Sequence, residues 1–206
     1  MLDYPIESLK INGVKNIMIT SAPEHLGDII KQYGDGSELN VNITYRAQVR
    51  PGGIAEAILL AEGLIGTDKH LYVALGDNIF APPVKIDVKA GQATLVLADV
   101  GLEEAKRFGC PFLENGIVTA IVEKPVSPPS KYAVTGFYAY PEDVFARIRK
   151  LTPSERGELE VTDLNNQYVG EAKVHITKYD GWWSDAGTIE TLFKAGQMAK
   201  TWSEHG

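Results

Sequence analysis

Apolar residues follow two alternating patterns along the chain. Short continuous apolar runs, typical of buried strands, alternate with segments whose apolar residues recur every three or four positions, typical of amphipathic helices. The first half predicts strands over 16–20, 41–45 and 70–75. It predicts a helix over 4–11 and a second helix that begins at Pro23 and is ended by residues 34–36. A third helix is predicted to carry Ile54, Ile58, Ala61 and Ile65 on one face. This alternation predicts an α/β fold around a mixed, mainly parallel sheet.

The second half of the chain is richer in strand patterns. It predicts strands over 94–98, 117–122, 133–139 and 172–178, helices over 141–151, 158–169 and 188–199, and a short turn at 152–155. Glu114-Asn115-Gly116 lies between two apolar runs and favours a hairpin turn, and Pro141 suits the first turn of a helix. Because no repeat or low-complexity segment interrupts the pattern, we expect one domain over 1–206.

Composition narrows the functional classes. The 206 residues, 44% of them hydrophobic, are enough for one substantial core. The formal net charge of −7 argues against a nucleic-acid-binding surface, which needs clustered lysine and arginine. The single cysteine, Cys110, excludes an internal disulfide and suits a reducing compartment. No apolar run approaches membrane-spanning length, so we expect a soluble, cytoplasmic protein without nucleic-acid or membrane partners.

Two aspartates are candidates for a metal site. Gly76, Asp77 and Asn78 follow the strand predicted over 70–75, where ligands bind in doubly wound sheets. Asp185 lies far along the chain. Mg²⁺ prefers a few carboxylates together with phosphate oxygens and waters, so two such aspartates brought together could hold it over a reacting phosphate. Each aspartate taken alone fits a turn or a helix cap equally well.

Two other segments also follow predicted strands. Pro51-Gly52-Gly53 precedes a predicted helix, and its glycines permit close backbone approach and leave N–H groups free for an anion, while the nearby Gln48 amide could pair with a base edge. Glu123-Lys124 could bind a sugar hydroxyl and a phosphate. The alternatives are an ordinary turn into a helix and a solvated ion pair.

Six sequence blocks become informative when they are taken together. They are Gln48 with Pro51-Gly52-Gly53, and the residues 75–80, 123–125, 134–138, 156–163 and 183–188. In order and spacing they resemble the glucose-1-phosphate thymidylyltransferases, which are sugar-1-phosphate nucleotidyltransferases with a Rossmann-like fold. The resemblance runs from residue 1 to about residue 199 and therefore covers nearly the whole chain.

The resemblance implies a role for each matched position. Asp77 and Asp185 match the Mg²⁺ ligands, and Lys124 matches a residue that binds the sugar phosphate, so these three form the implied catalytic set. The implied nucleotide-binding residues are Gln48, Pro51, Gly52, Gly53, Gly76 and Asp77, with Gln48 and Gly53 at the thymine or uracil base. The implied sugar-binding residues are Asn78, Gly109, Glu123, Lys124, Val134, Thr135, Gly136 and Trp183, and Arg156 is a supporting residue.

The same resemblance implies the reaction and its partners. In the family, an oxygen of the sugar 1-phosphate attacks the α-phosphate of dTTP or UTP, and pyrophosphate leaves. The implied ligands are therefore dTTP or UTP, a hexose 1-phosphate, the dTDP- or UDP-sugar product, and Mg²⁺. Assembly into a homo-oligomer stays open.

The pattern departs from the family at its beginning. The family starts with a strand and a Gly-Gly-x-Gly-Thr-Arg-Leu loop that holds the triphosphate, and no segment here matches that loop. We therefore expect a nucleotidyltransferase fold that is truncated at the N-terminus, with the first central strand missing between the strands over 16–20 and 70–75. Loss of fixed phosphate-binding donors predicts little activity for this chain alone. In addition, Phe108-Gly109-Cys110 replaces the usual Tyr-Gly-Val.

Three functional interpretations stay open at this point. The chain could be an enzyme or the greater part of one. It could be a non-catalytic module that binds a sugar nucleotide or a partner. It could also be a fragment whose first strand and loop come from a separate chain or from an upstream start codon.

Overall fold

The computed structural model describes residues 1–64 and 70–205, with side chains up to residue 198. The helices are α1 (Asp3–Ile11), α2 (Pro23–Tyr33), α3 (Ile54–Leu59), α4 (Gly101–Ala105), α5 (Val144–Ile148), α6 (Val161–Gly170) and α7 (Ile189–His205). The strands are β1 (Asn16–Ser21), β2 (Asn42–Ala47), β3 (His70–Ala74), β4 (Asn78–Ala81), β5 (Ala93–Asp99), β6 (Gly109–Glu114), β7 (Ile117–Glu123), β8 (Tyr132–Pro141), β9 (Val174–Tyr179) and β10 (Trp182–Asp185).

The strands form a mixed arrangement in an α/β fold, as the sequence predicts. Four strands pair in the order β3-β8-β5-β9, in which β8 runs antiparallel to both neighbours and β5 runs parallel to β9. β1 and β2 form a parallel pair, while β4 with β10 and β6 with β7 form antiparallel pairs. The expected dominance of parallel pairing is therefore corrected, because the long strand β8 lies between β3 and β5 in the opposite direction.

Most predicted elements are present, with small shifts at their ends. The hairpin turn is confirmed, since Asn115 and Gly116 both have positive φ (51° and 81°) and join β6 to β7. The helix predicted over 141–151 is wrong at its beginning: Pro141 is the last residue of β8, opposite His70. A proline is tolerated there because a strand end requires no further ladder N–H. Ile65, expected on the face of α3, falls outside the described residues.

Two apolar clusters pack on opposite faces of the sheet. Along β3, Leu71 and Val73 pack against the first cluster, which includes helices α3, α5 and α6. Tyr72 and Ala74 pack against the second cluster, which includes α1 and β1. Successive strand residues point to opposite faces, so each central strand contributes to both cores. Among the described residues, no helix combines the length and the apolar character needed to cross a membrane.

β1 and β3 border a large cavity rather than each other. Within the described part of the chain, β1 pairs only with β2, and β3 pairs only with β8. The cavity between them has a volume of about 1280 Å³, and we call it the interstrand cavity. Among the described residues, β1 and β3 therefore do not pair directly with each other.

Candidate functional site

The two candidate metal ligands meet where β4 pairs with β10. Asp185 ends β10 opposite Asn78, and the Ala186 N–H donates to the backbone carbonyl of Asp77 at 2.7 Å. A Cβ atom placed on Gly187 would lie 3.1 Å from Asp185 Oδ2 and 3.9 Å from Asp77 Oδ2. The two carboxylates, 108 positions apart in sequence, therefore converge on one point.

A guanidinium group already neutralises part of this carboxylate pair. Arg107 Nη2 donates to both oxygens of Asp185, at 3.1 and 2.9 Å. Burial raises the pKa of Asp185, and repulsion from Asp77 adds to that increase, while the charge of Arg107 opposes it. Two neighbouring carboxylates beside the Arg107 guanidinium create a local electrostatic environment that favours a cation.

The donor set fits Mg²⁺ better than a transition metal. Among the described residues, no group of three or more His, Cys, Asp or Glu side chains could hold a metal ion. Mg²⁺ requires no such cage, because it commonly binds one or two carboxylates and completes its shell with phosphate oxygens and waters. Asp77 and Asp185 meet that demand if Arg107 releases Asp185.

Asn78 ties the aspartate pair to the sheet. It is 4% exposed, and its Oδ1 accepts hydrogen bonds from the Gly136 N–H and from Trp183 Nε1, both at 2.8 Å. Its Nδ2 donates to Asp77 Oδ1 at 2.9 Å. A Cβ on Gly136 would lie 2.6 Å from Asn78 Cγ, so only glycine leaves room for this side chain. Asn78 therefore orients Asp77 and Trp183, and its predicted contact with a sugar stays a prediction.

Glu123 is the last residue of β7, and Lys124 follows it directly. Glu123 Oε2 accepts a hydrogen bond from Thr162 Oγ1 at 2.6 Å, which fixes the carboxylate beside Gly109. Lys124 has a φ of 45°, in the left-handed region that residues other than glycine rarely adopt. Such conformations cost about 1–3 kcal/mol and concentrate at functional sites. The exposed Lys124 side chain is therefore a strong candidate for a ligand contact.

These residues enclose a cavity of about 240 Å³, which we call the smaller cavity. Most of the predicted sugar-binding residues and both aspartates line it: Asp77, Asn78, Gly109, Glu123, Lys124, Val134, Gly136, Trp183 and Asp185. Thr135 does not line it, because its side chain is buried and donates to the backbone carbonyl of Val96 at 3.1 Å. The volume lies below the roughly 300–1,000 Å³ of typical ligand pockets, so the smaller cavity can hold only part of a sugar nucleotide.

Four of the predicted nucleotide-binding residues line the adjoining interstrand cavity, whereas Asp77 lines the smaller cavity and Gly52 lines neither. Gln48, Pro51, Gly53 and Gly76 line the interstrand cavity, and Ile54, Leu75, Glu123, Lys124 and Val161 line both cavities. The two groups of predicted residues are thus neighbours across a shared wall. A ligand that spans both cavities would pass Lys124 at the junction.

Hydrogen bonds fix the glycine-containing loop before α3. The Leu159 N–H donates to the Gly52 carbonyl at 2.8 Å, and Gln48 Nε2 donates to the Gly53 carbonyl at 3.1 Å. Gly53 has a φ of 90°, and a Cβ there would lie 2.5 Å from the Leu159 carbonyl oxygen. Gly53 is therefore required both by its conformation and by the close approach of residue 159. The Gln48 amide is held in place, although its pairing with a base stays a prediction.

Arg156 adds a positive charge at the same end of the interstrand cavity. Its Nη2 donates to Glu160 Oε1 at 2.9 Å. Burial opposes ionisation of Glu160, but hydrogen bonds from Ser154 and Arg156 outweigh it and lower the pKa of this carboxyl group. The ion pair holds Arg156 near the cavity, where an anionic ligand could compete with Glu160.

Sequence reasoning did not identify three residues of the site. Arg107 pairs with Asp185, Thr162 orients Glu123, and Phe108 packs edge-on against Trp183 with ring centroids 4.9 Å apart. Thr162 lies in one of the six blocks and Phe108 precedes the predicted sugar-binding residue Gly109, so their neighbourhood was a usable signal. Arg107 gave no such signal, because pairing across 78 positions is visible only in three dimensions.

Comparison with known proteins places these features in a family. The model of the nucleotidyl transferase family matches residues 1–201. A glucose-1-phosphate thymidylyltransferase of Neisseria meningitidis is 36% identical over 208 aligned residues, covering 98% of this chain and 72% of the relative. The enzyme of the same name from Mycobacterium tuberculosis is 33% identical, with the same coverage.

Solved structures support the same fold. A Bacillus anthracis protein described as a glucose-1-phosphate thymidylyltransferase, in complex with sucrose, has a TM-score of 0.87 at 38% identity, covering 97% of this chain and 82% of that one. A UDP-glucose pyrophosphorylase in complex with UDP-glucose has a TM-score of 0.78 at 23% identity, covering 96% and 85%. At that identity the second structure supports the fold alone.

Proposed function

The chain belongs to the nucleotidyl transferase family, and we propose that its site serves the transfer of a thymidylyl or uridylyl group to a hexose 1-phosphate. The observation that carries the proposal is the convergence of Asp77 and Asp185 on one point beside a cavity that Lys124 borders. A pair of carboxylates facing a lysine is the arrangement needed to neutralise phosphates during transfer.

Each residue has a distinct task in the proposed reaction. Asp77 and Asp185 would hold Mg²⁺, which, when bound, neutralises phosphate charge. Lys124 binds the phosphate of the hexose 1-phosphate, and Glu123 accepts a hydrogen bond from a sugar hydroxyl. A phosphate oxygen of the sugar then forms a bond to the α-phosphorus as the bond to pyrophosphate breaks. No covalent intermediate with the protein is required, since positioning supplies most of the effect.

The nucleotide would lie along the loop before α3, with its base near Gln48 and Gly53. This placement is supported by the adjoining cavities, because a base at Gln48 and a sugar in the smaller cavity would meet at Lys124. We further propose a cytoplasmic location, in keeping with the single cysteine, Cys110, which is buried and forms no disulfide bond. In this proposal residues 1–206 act as a single domain.

A synthesis assay tests this proposal. The chain is incubated with dTTP or UTP, glucose 1-phosphate and Mg²⁺, and released pyrophosphate is measured beside the Neisseria meningitidis relative. We expect slow release that requires all three components and is lost in Asp185→Asn. The rate should lie orders of magnitude below that of the relative, because the triphosphate has few fixed donors here. Release that is independent of the sugar phosphate would contradict the function, and a rate equal to that of the relative would contradict the low activity.

A second candidate function is sugar-nucleotide binding without catalysis. The pairing of Arg107 with both oxygens of Asp185 favours it, because a guanidinium in that position competes with a metal ion. The two functions are separated by combining the synthesis assay with a titration of dTDP-glucose. Tight binding with no pyrophosphate release favours the binding module, whereas any Mg²⁺-dependent turnover that Asp185→Asn removes favours the transferase.

A further inference from the structure

Glu56, on helix α3, holds the side-chain amide of Gln48. Gln48 Nε2 donates to Glu56 Oε2 at 3.2 Å and to the Gly53 backbone carbonyl at 3.1 Å. An amide nitrogen carries two hydrogens, so these two acceptors engage both of them. Because both partners are acceptors, they also fix which end of the amide carries the nitrogen. Among the residues that the structure describes, no group donates to Gln48 Oε1, so this oxygen is the polar atom left for a ligand.

The Glu56 carboxylate is itself held in position. Arg50 Nη2 donates to its other oxygen, Oε1, at 3.2 Å. A Cβ atom placed on Gly52 would lie 2.1 Å from Glu56 Oε2, so the carboxylate occupies the space that a side chain at position 52 would fill. Gly52 lines neither cavity. This contact gives it a role, because it leaves room for the carboxylate that orients Gln48.

We propose that Glu56 is a positioning residue that leaves Gln48 only its oxygen for the base, so that the site selects a pyrimidine with a hydrogen on N3. The inference rests on the proposed function, in which the base lies near Gln48. Thymine and uracil carry an N3–H that Gln48 Oε1 can accept. The N3 of cytosine is itself an acceptor, so it would face another acceptor. A site built around a hydrogen bond rejects an analogue that leaves its polar groups unpaired.

Removal of the Glu56 carboxylate frees one hydrogen of the Gln48 amide. Gln48 Nε2 then donates to the Gly53 carbonyl alone, and its second hydrogen can meet the N3 of cytosine. The preference between the two kinds of base should therefore weaken, while contacts to the phosphates stay the same. Gly52→Ala should act in the same way, because the new Cβ displaces the far end of the flexible Glu56 side chain rather than the backbone.

Calorimetric titration of the full chain with UDP and with CDP, in the presence of Mg²⁺, tests the inference. The two nucleotides carry the same ribose and diphosphate, so the ratio of their affinities reports the contact to the base. The parent chain should bind UDP at least about tenfold more tightly than CDP. Glu56→Ala and Gly52→Ala should each reduce this ratio to about threefold or less. Glu56→Gln keeps an oxygen acceptor for Gln48 and should retain the ratio.

A matched control removes the same charge elsewhere. Glu24→Ala, at an exposed position of helix α2, should leave the ratio unchanged, and circular dichroism confirms that the variants are folded. Equal affinities for UDP and CDP in the parent chain would overturn the inference. So would a ratio that survives in Glu56→Ala, or one that falls equally in Glu56→Gln.

Pyrophosphate release separates this inference from the proposed transfer. Selective binding of UDP without release from UTP and glucose 1-phosphate would refute the transfer and leave the base selection standing. Release at equal rates from UTP and CTP would refute the base selection alone. Absence of binding of either nucleotide would overturn both.

Discussion

Replacing Asn78 by alanine should destabilise the fold, because two donors lose their common acceptor. Asn78 Oδ1 accepts hydrogen bonds from the buried Gly136 N–H and from Trp183 Nε1, each at 2.8 Å. The asparagine is 4% exposed, so its neighbours depend on it rather than on bulk water. The substitution removes the acceptor and leaves both donors in place.

The expected loss can be estimated from these contacts. A buried donor left without a partner costs about 1–3 kcal/mol. Gly136 lies within the buried strand β8, so its N–H should cost about 2 kcal/mol. Trp183 is half-buried and lines the smaller cavity, so water can reach its indole, and its share should be about 1 kcal/mol. The free energy of unfolding should therefore fall by about 3 kcal/mol, which for a chain of this size lowers Tm by about 6–12 °C.

Urea unfolding followed by circular dichroism measures this loss, and thermal unfolding supplies Tm. The matched control is Asn42→Ala on strand β2, where the exposed side-chain amide donates to Asn16 Oδ1 at the surface and the substitution keeps the backbone N–H. The control should change the free energy of unfolding by no more than about 0.5 kcal/mol. A loss below about 1 kcal/mol for Asn78→Ala, or one equal to the control, would refute the role of Asn78 as a shared acceptor.

Three further substitutions test other parts of the account. Arg107→Gln should strengthen Mn²⁺ binding measured by electron paramagnetic resonance, because it removes the cation that competes for Asp185. Lys124→Gly should raise the free energy of unfolding by up to about 1 kcal/mol, since glycine tolerates a φ of 45°, while the affinity for glucose 1-phosphate measured by calorimetry falls. Hydrogen bonds from Arg147 lower the pKa of Glu171 from 4.5 to about 2, so Glu171→Gln should reduce stability to urea at pH 7, and the difference from the parent chain should shrink as pH falls from 4.5 towards 2.

The chain offers controls for these substitutions. Arg46 and Glu142 are exposed, so Arg46→Gln should leave Mn²⁺ affinity unchanged and Glu142→Gln should leave acid stability unchanged. Weaker Mn²⁺ binding in Arg107→Gln would mean that Arg107 supports the metal site rather than competing for it. A stability difference for Glu171→Gln that persists unchanged at pH 2 would contradict the assigned ion pair. Lower stability of Lys124→Gly would contradict backbone strain at that position.

The sequence predicted the regular elements well because their signals are local. Periodicity located β1, β5 and α2 within one or two residues, and the Asn-Gly pair fixed the β6–β7 turn. The short strands β4 and β10 were not expected, because four residues are too few to display a period. The antiparallel course of β8 was also missed, since strand direction is a property of the tertiary fold rather than of a local pattern.

Many residues of the candidate site could be chosen from the sequence, but the hydrogen bonds that join them could not be predicted. Asp77 and Asp185 could be chosen because the surrounding blocks occur in family order, and the structure brings the two carboxylates together. The hydrogen bond from Arg107 to Asp185 could not be predicted, nor could the two hydrogen bonds that Asn78 accepts, because each of them joins residues more than 50 positions apart. Side-chain pairing over such separations depends on packing that no local pattern records.

Calorimetric titration of the chain with dTDP-glucose, with and without Mg²⁺, tests the central claim most directly. If Asp77 and Asp185 form a metal-dependent site for a sugar nucleotide, Mg²⁺ should tighten binding. Asp77→Asn and Asp185→Asn should each remove that gain, at least about tenfold in affinity. Asp180→Asn, at an exposed position between β9 and β10, should retain it. Absence of binding, or an affinity that is the same with and without Mg²⁺ in all four proteins, would contradict the account.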